Sequence, residues 1–141
     1  MHHPLVQRLL DELGYPEITL ENHDRFVADP GANLLCFVGD PKTNRESTDV
    51  AVVLPELVAA FAGRLRPGVV ASYEDGGAEL QRHYGFREWP ALVLVRGGGY
   101  LGAITRIRNW DEYLRGIAEL LEAMPRRAPG FEIPVVSEPA G

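Results

Sequence analysis

A single cysteine, Cys36, stands among the 141 residues. One thiol cannot close an intramolecular disulfide, cannot supply Cys-x-x-Cys chemistry and leaves no thiolate cluster for zinc. Histidine is scarce as well: His2 and His3 are terminal, and His23 and His83 show neither HxxxH nor HExxH spacing, so no metal site is expected. No run approaches the roughly 18 apolar residues of a membrane span, and no charged segment followed by an apolar core opens the chain. Together with the lone thiol, this gives the expectation of a cytoplasmic protein with no membrane insertion. Basic excess is missing too, with 20 Asp and Glu against 14 Lys and Arg for a formal charge of -6. A nucleic-acid phosphate backbone is therefore not the expected partner, and a cationic one fits better. Ser47 and Ser72 lack the glycine pattern of a nucleophile elbow, and Gly97-Gly98-Gly99 sits in a hairpin instead of a strand-to-helix phosphate loop. No catalytic constellation and no cofactor site are expected, so the chain reads as a non-enzyme.

What the chain does contain is regular alternation of apolar segments and breakers. Leu5, Val6, Leu9, Leu10 and Leu13 share one helical face between Pro4 and Gly14. Glu17–Leu20 is a short strand candidate, and Asn22 can cap a helix that ends before Asp29-Pro30-Gly31. Asn33–Val38 is an apolar run suited to a central strand covered on both faces. A polar loop, Gly39 to Ser47, separates it from a helix capped by Thr48 or Asp49 that reaches about Ala62, with Pro55 predicting a kink. Val69–Tyr73 is the next strand, Glu74–Gly77 a turn and Ala78–Tyr84 a short helix. Ala91–Val95 and Tyr100–Ile104 flank a glycine hairpin. Asn109 and Glu112 form a capping-box pattern for a last helix to about Met124, with Tyr113, Leu114, Ile117, Leu120 and Leu121 facing inward.

Helical crossovers in the first half imply parallel strands, and the hairpin adds antiparallel ones. The fold class is therefore α/β: a thioredoxin-like, mixed central sheet with helices on both faces, plus a C-terminal extended tail. The division expected is a domain over residues 1–125 and an extended or flexible tail over 126–141, where Phe131, Ile133, Val135 and Val136 alternate enough to pack on a surface. Trp89-Pro90 before a strand resembles the cis-proline loop of thioredoxin-like proteins. Such proteins carry their cysteine pair at the start of the helix after the central strand. Here one alignment puts Lys42 and Arg45 at those positions, and the other puts Ser47 and Val50 there, so the redox pair is absent. Cys36, inside an apolar strand, reads as a small buried hydrophobe. Asp40, Glu46, Asp49, Glu74, Asp75 and Glu88 fall in loops that this order gathers at one sheet end. They are the candidate partner-binding residues, forming an anionic rim around Trp89 and Pro90 that Lys42, Arg45 and Arg87 partly neutralise.

The cysteine-free thioredoxin-like order, the ending Leu13-Gly14-Tyr15-Pro16, and the phrases Phe37-Val38-Gly39-Asp40-Pro41 and Trp89-Pro90-Ala91-Leu92-Val93 resemble hydrogenase expression/formation proteins of the HyaE/HupG type. The resemblance spans about Leu5 to Glu122. It implies a cytoplasmic accessory protein for [NiFe]-hydrogenase maturation that acts as a chaperone for the small-subunit precursor by binding its twin-arginine signal peptide before export. Other hydrogenase accessory proteins are a further partner class. Two alternatives stand beside it: a monothiol redox protein using Cys36, and a non-catalytic structural thioredoxin-like subunit.

Overall fold

The computed structural model describes residues 4–38, 46–71, 73–106 and 108–133. The elements follow in the order α1 (Pro4–Asp11), α2 (His23–Val27), β1 (Ala32–Phe37), α3 (Glu46–Ala60), β2 (Leu65–Val70), α4 (Ala78–Tyr84), β3 (Ala91–Arg96), β4 (Gly99–Thr105) and α5 (Trp110–Leu121). A π-helical turn over Tyr73–Gly77 runs directly into α4. The strands form one mixed sheet in the order β2-β1-β3-β4. β1 is parallel to β2 and antiparallel to β3, and β3 is antiparallel to β4.

Every residue of β1 is buried, and the two-residue period of a strand divides its side chains between two cores. Leu34, Cys36 and Val38 pack with Val6 and Leu9 of α1, Leu54 and Leu57 of α3, and Tyr113 and Ile117 of α5. Leu35 and Phe37 face the other way, among Phe26, Leu80, Tyr84 and Phe86. Helices thus cover both faces of the sheet.

The departures from the expected elements have local causes. Glu17–Leu20 forms no strand. It contributes one parallel bridge, Glu17 with Val69, in which the Ile18 amide donates to the Val69 carbonyl at 2.7 Å. Asn22 does not cap α2. Its side chain turns back, accepting from the Thr19 amide and donating to the Glu17 carbonyl, both at 2.8 Å. β2 starts at Leu65, well before Val69, because Arg66-Pro67-Gly68, a turn by composition, lies on an edge strand that tolerates proline. α3 starts at Glu46, ahead of the expected Thr48 or Asp49 cap, and Pro55 lies inside it. α5 ends at Leu121, short of Met124, but has the expected capping box: the Asn109 side chain accepts from the Glu112 amide at 2.9 Å. In the hairpin, Gly97 (φ 53°) and Gly98 (φ 80°) supply the positive φ of a two-residue turn.

The segment after α5 is held by backbone contacts. Tyr100 and Arg126 exchange hydrogen bonds at the outer edge of β4, and the Gly130 and Phe131 amides donate to the carbonyls of His83 and Arg82 at 2.9 Å. A Cβ on Gly130 would lie 1.6 Å from the Arg82 carbonyl oxygen, so this crossing demands glycine. Ile133 packs on the second core, while Phe131 stays 75% exposed. Val135 and Val136 lie outside the described residues.

Among the described residues, Asn33 and His23 are the buried polar residues. The Asn33 amide donates to the carbonyls of Val95 (3.0 Å), Asp29 (3.1 Å) and Val27 (3.2 Å), and its oxygen accepts from the Arg66 guanidinium. Arg66 also reaches the Phe26 carbonyl at 3.1 Å and lies over the Phe26 ring. His23 Nδ1 sits 2.9 Å from Asp24 Oδ1, and its Nε2 sits 2.5 Å from the Tyr84 hydroxyl. Burial holds the His23 pKa below its ordinary value, against the upward pull of Asp24.

Replacing Asn33 by Ala removes its bonds to the Val95, Asp29 and Val27 carbonyls and to the Arg66 guanidinium, while the Gly97 and Gly98 amides still serve Asp29 and Val27 and the Phe26 carbonyl still serves Arg66. We expect a loss of about 1–3 kcal/mol, read as a lower urea midpoint at unchanged m value. His23 makes stability depend on pH. Its folded form favours the neutral ring, so below about pH 6.5 the unfolded chain binds more protons. Its contribution is complete above that pH and is lost as the pH falls through the lower folded pKa. Chemical unfolding between about pH 7 and pH 5 should show a shallower decline for His23→Gln than for the unsubstituted chain.

Candidate functional site

The sheet register decides which loops can meet. Phe37, closing β1, is paired with Val70, closing β2, and with Ala91, opening β3; Ala91 is paired in turn with Thr105, closing β4. The segment after β2, the one before β3 and the one after β4 therefore share one end of the sheet. α3 belongs to the same end, because its last residue, Ala60, lies near the far end where β2 begins, and 15 residues of helix span about 22 Å back from there.

The loop before β3 supplies Glu88, Trp89 and Pro90, and the Trp89–Pro90 peptide bond is cis, as the sequence led one to expect. Pro90 is buried and Trp89 half-buried. The indole meets Phe37 edge-on, with centroids 5.3 Å apart, and is flanked by Tyr73 at 5.8 Å and Phe86 at 6.2 Å. Its N–H donates to Gln81 Oε1 at 2.7 Å, while Gln81 Nε2 donates to the Phe86 carbonyl at 3.0 Å. Tyr73 is 54% exposed, so an apolar ring is offered to solvent beside the indole.

Charged groups surround this aromatic corner. Glu88 Oε2 lies 3.0 Å from Arg106 Nε, both side chains being more than half exposed. The Arg106 amide donates to the Pro90 carbonyl at 2.8 Å, and its own carbonyl accepts from the Tyr113 hydroxyl at 3.3 Å. Arg106 is the non-glycine residue with positive φ (64°) among the described residues. The residue after β4 is thereby tied to the cis-proline loop through main chain and side chain together. Arg106 joins Arg87 as a neutralising charge at this end.

Of the other candidate residues, Glu74 is exposed on the π-helical turn beside Tyr73, and Asp49 is exposed in the first turn of α3. Glu46 opens α3 and Asp75 lies in the π-helical turn, but their side chains, like Asp40, Lys42 and Arg45, lie outside the described residues. Among the described residues no group of three His, Cys, Asp or Glu side chains could hold a metal ion. No helix there is long and apolar enough to cross a membrane.

Several participants were not found by sequence reasoning. Tyr73 reads as the end of a strand and Gln81 as an ordinary helix residue, and Arg106 lies between the elements expected at Tyr100–Ile104 and after Asn109. His23 and His83 read as unrelated, yet their rings lie 6.0 Å apart edge-on. The sequence signal for Tyr73 is proximity to a strand end, which becomes informative once the register is known; Gln81, in the middle of α4, carries none.

Three comparisons extend this geometry. A family model described as Hydrogenase-1 expression protein HyaE matches residues 5–113. The chain is 43% identical over 141 residues to the hydrogenase expression/formation protein HoxO of Azotobacter vinelandii, covering 100% of this chain and 92% of that protein. It is 42% identical over 125 residues to the hydrogenase expression/formation protein HupG of Rhodobacter capsulatus, covering 86% and 87% of the two chains. In three dimensions it is similar to the crystal structure of hupG, described as a hydrogenase expression/formation protein, from Rhodopseudomonas palustris. That match has a TM-score of 0.53 and 33% identity and covers 75% of this chain and 94% of the other. A thioredoxin-like sheet with a cis-proline loop and a single thiol buried in its central strand is thus joined to a consistent set of relatives, and the chain belongs to the HyaE family of hydrogenase expression/formation proteins.

Proposed function

We propose that this protein is a non-catalytic cytoplasmic accessory protein of hydrogenase maturation that binds the twin-arginine signal peptide of the hydrogenase small-subunit precursor. The observation that carries the reading is the aromatic corner of Trp89 and Tyr73 at the sheet end, with Glu74 and Glu88 on the two segments that form it. A twin-arginine signal presents paired guanidinium groups and then an apolar segment. Its binder needs carboxylates for the first and a desolvating ring surface for the second. Asp40, Glu46, Asp49 and Asp75 are the further carboxylates assigned to the rim. Exposed arginine–carboxylate pairs contribute only about 0–1 kcal/mol each, so they set orientation and encounter rate while the apolar segment supplies most of the affinity. Glu88 reaches its ligand by exchanging Arg106 for a peptide arginine, which makes its net contribution smaller than that of Glu74.

The monothiol alternative has the structure against it. Cys36 is fully buried, and burial pushes its thiol pKa up to about 12, so at neutral pH neither thiolate nor access is available. A disulfide reagent should leave Cys36 unmodified in the native protein and titrate one thiol after unfolding in guanidinium. Rapid native labelling would restore the redox reading.

Charge reversal tests the rim. Glu74→Lys with Glu88→Lys should weaken capture of a synthetic twin-arginine signal peptide about five- to tenfold and leave the circular dichroism spectrum unchanged. Added salt should weaken binding to the unsubstituted protein in the same sense, because rim charges are screened over about 8–10 Å at physiological ionic strength. A peptide with both arginines replaced by glutamine should bind the two proteins equally. Unaltered binding of the native peptide after charge reversal would remove the rim from the reading.

A further inference from the structure

Trp89 is held by more than ring packing. Its indole N–H has a defined acceptor, Gln81 Oε1 at 2.7 Å, and the same side-chain amide donates through Nε2 to the Phe86 carbonyl at 3.0 Å. Only one orientation of the amide satisfies both bonds, since the indole can only donate and the carbonyl can only accept. One side chain on α4 therefore fastens both ends of the segment Phe86 to Trp89 that delivers the chain into the cis-proline position. Phe37 stands perpendicular to the indole on the sheet side and Phe86 packs at its flank, which leaves Tyr73 as the exposed ring beside it. With the N–H fixed on one side and Phe37 beneath, the plane of the indole is set, and with it the angle of the corner it makes with Tyr73.

We propose that Gln81 is a positioning residue for recognition: it fixes the Trp89 indole so that the Trp89–Tyr73 corner is preformed for the apolar segment of the bound peptide. This rests on the reading of Trp89 as part of the peptide site. An indole without this bond can rotate about its side-chain torsions, and the ordering of that ring then has to be supplied on binding, which weakens affinity. Gln81 need not touch the peptide to have this effect.

The test uses the full chain, the synthetic twin-arginine signal peptide as probe and the two tryptophan indole resonances in a 15N–1H correlation spectrum. Trp110, at the start of α5, is the internal reference. Gln81→Leu removes both hydrogen bonds, and Gln81→Glu keeps an oxygen for the indole N–H while losing the donor to Phe86. We expect Gln81→Leu to move the Trp89 indole resonance while Trp110 stays in place, and to weaken peptide binding about five- to tenfold by calorimetry. Gln81→Glu should recover part of both effects. A Trp89 resonance unchanged in Gln81→Leu overturns the fastening. A moved resonance with unchanged affinity overturns its part in recognition. Trp89→Ala, measured alongside, separates the two levels: if it binds the peptide as tightly as the unsubstituted chain, the reading of Trp89 as peptide-binding falls and the proposed role of Gln81 with it. If Gln81→Leu unfolds, Gln81→Met, an unbranched side chain of similar length without the amide acceptor, decides by the same two readouts, and an unshifted indole with full affinity there overturns the proposal.

Discussion

The structure depends on a central strand with no solvent-facing side. β1 has a strand at each edge and a helical layer on each face, so each of its apolar side chains belongs to one of two cores and its backbone pairs on both sides. A one-residue slip would carry Leu34 and Cys36 into the aromatic core and drive Phe37 into the aliphatic one. Asn33 makes the register still more specific. It can be buried at one position only, where the carbonyls of Val27, Asp29 and Val95 and the Arg66 guanidinium converge. The hairpin turn is fixed by the same region, since the Gly97 and Gly98 amides donate to the carbonyls of Asp29 and Val27. A shift of β1 would therefore disturb the hairpin at one end and the loops that build the aromatic corner at the other.

This dependence explains which parts of the molecule could be read from sequence. Elements whose burial is periodic or continuous were legible: α1, β1, the β3–β4 hairpin and α5 with its capping box all follow from hydrophobic spacing and turn chemistry. Elements whose identity is decided by neighbours were not. Arg66-Pro67-Gly68 has turn composition but pairs with Asn33–Leu35 because an edge strand has a ladder on one side only. Glu17–Leu20 has strand composition but meets β2 at a single bridge. Asn22 looks like a cap and instead closes the turn before the helix.

The candidate site divides along the same line. That Glu74, Glu88, Trp89 and Pro90 approach one end of the sheet follows from strand order, and strand order was readable. That Glu88 is already paired with Arg106, and that Gln81 fastens the indole, depends on side-chain directions over sequence separations of 18 and 8 residues, which no local pattern encodes. The resemblance to hydrogenase expression/formation proteins rested on overall order and short phrases, and family membership rests on the same diffuse similarity spread along most of the chain. Such similarity identifies a family without singling out the residues that recognise a ligand.

The two outer edges of the sheet have a consequence of their own. Residues Pro16 to Ile18 pair with β2 at Val69, and Arg126 pairs with β4 at Tyr100, so each edge already carries a short piece of the chain's own backbone. Pro67 further breaks the run of donors along β2. An extended foreign segment that tried to continue the sheet would find its first rungs taken, and so would an edge of another copy. The occupied edges leave side chains, and not backbone rungs, as the surface through which this sheet can be contacted, and they protect it from edge-to-edge growth.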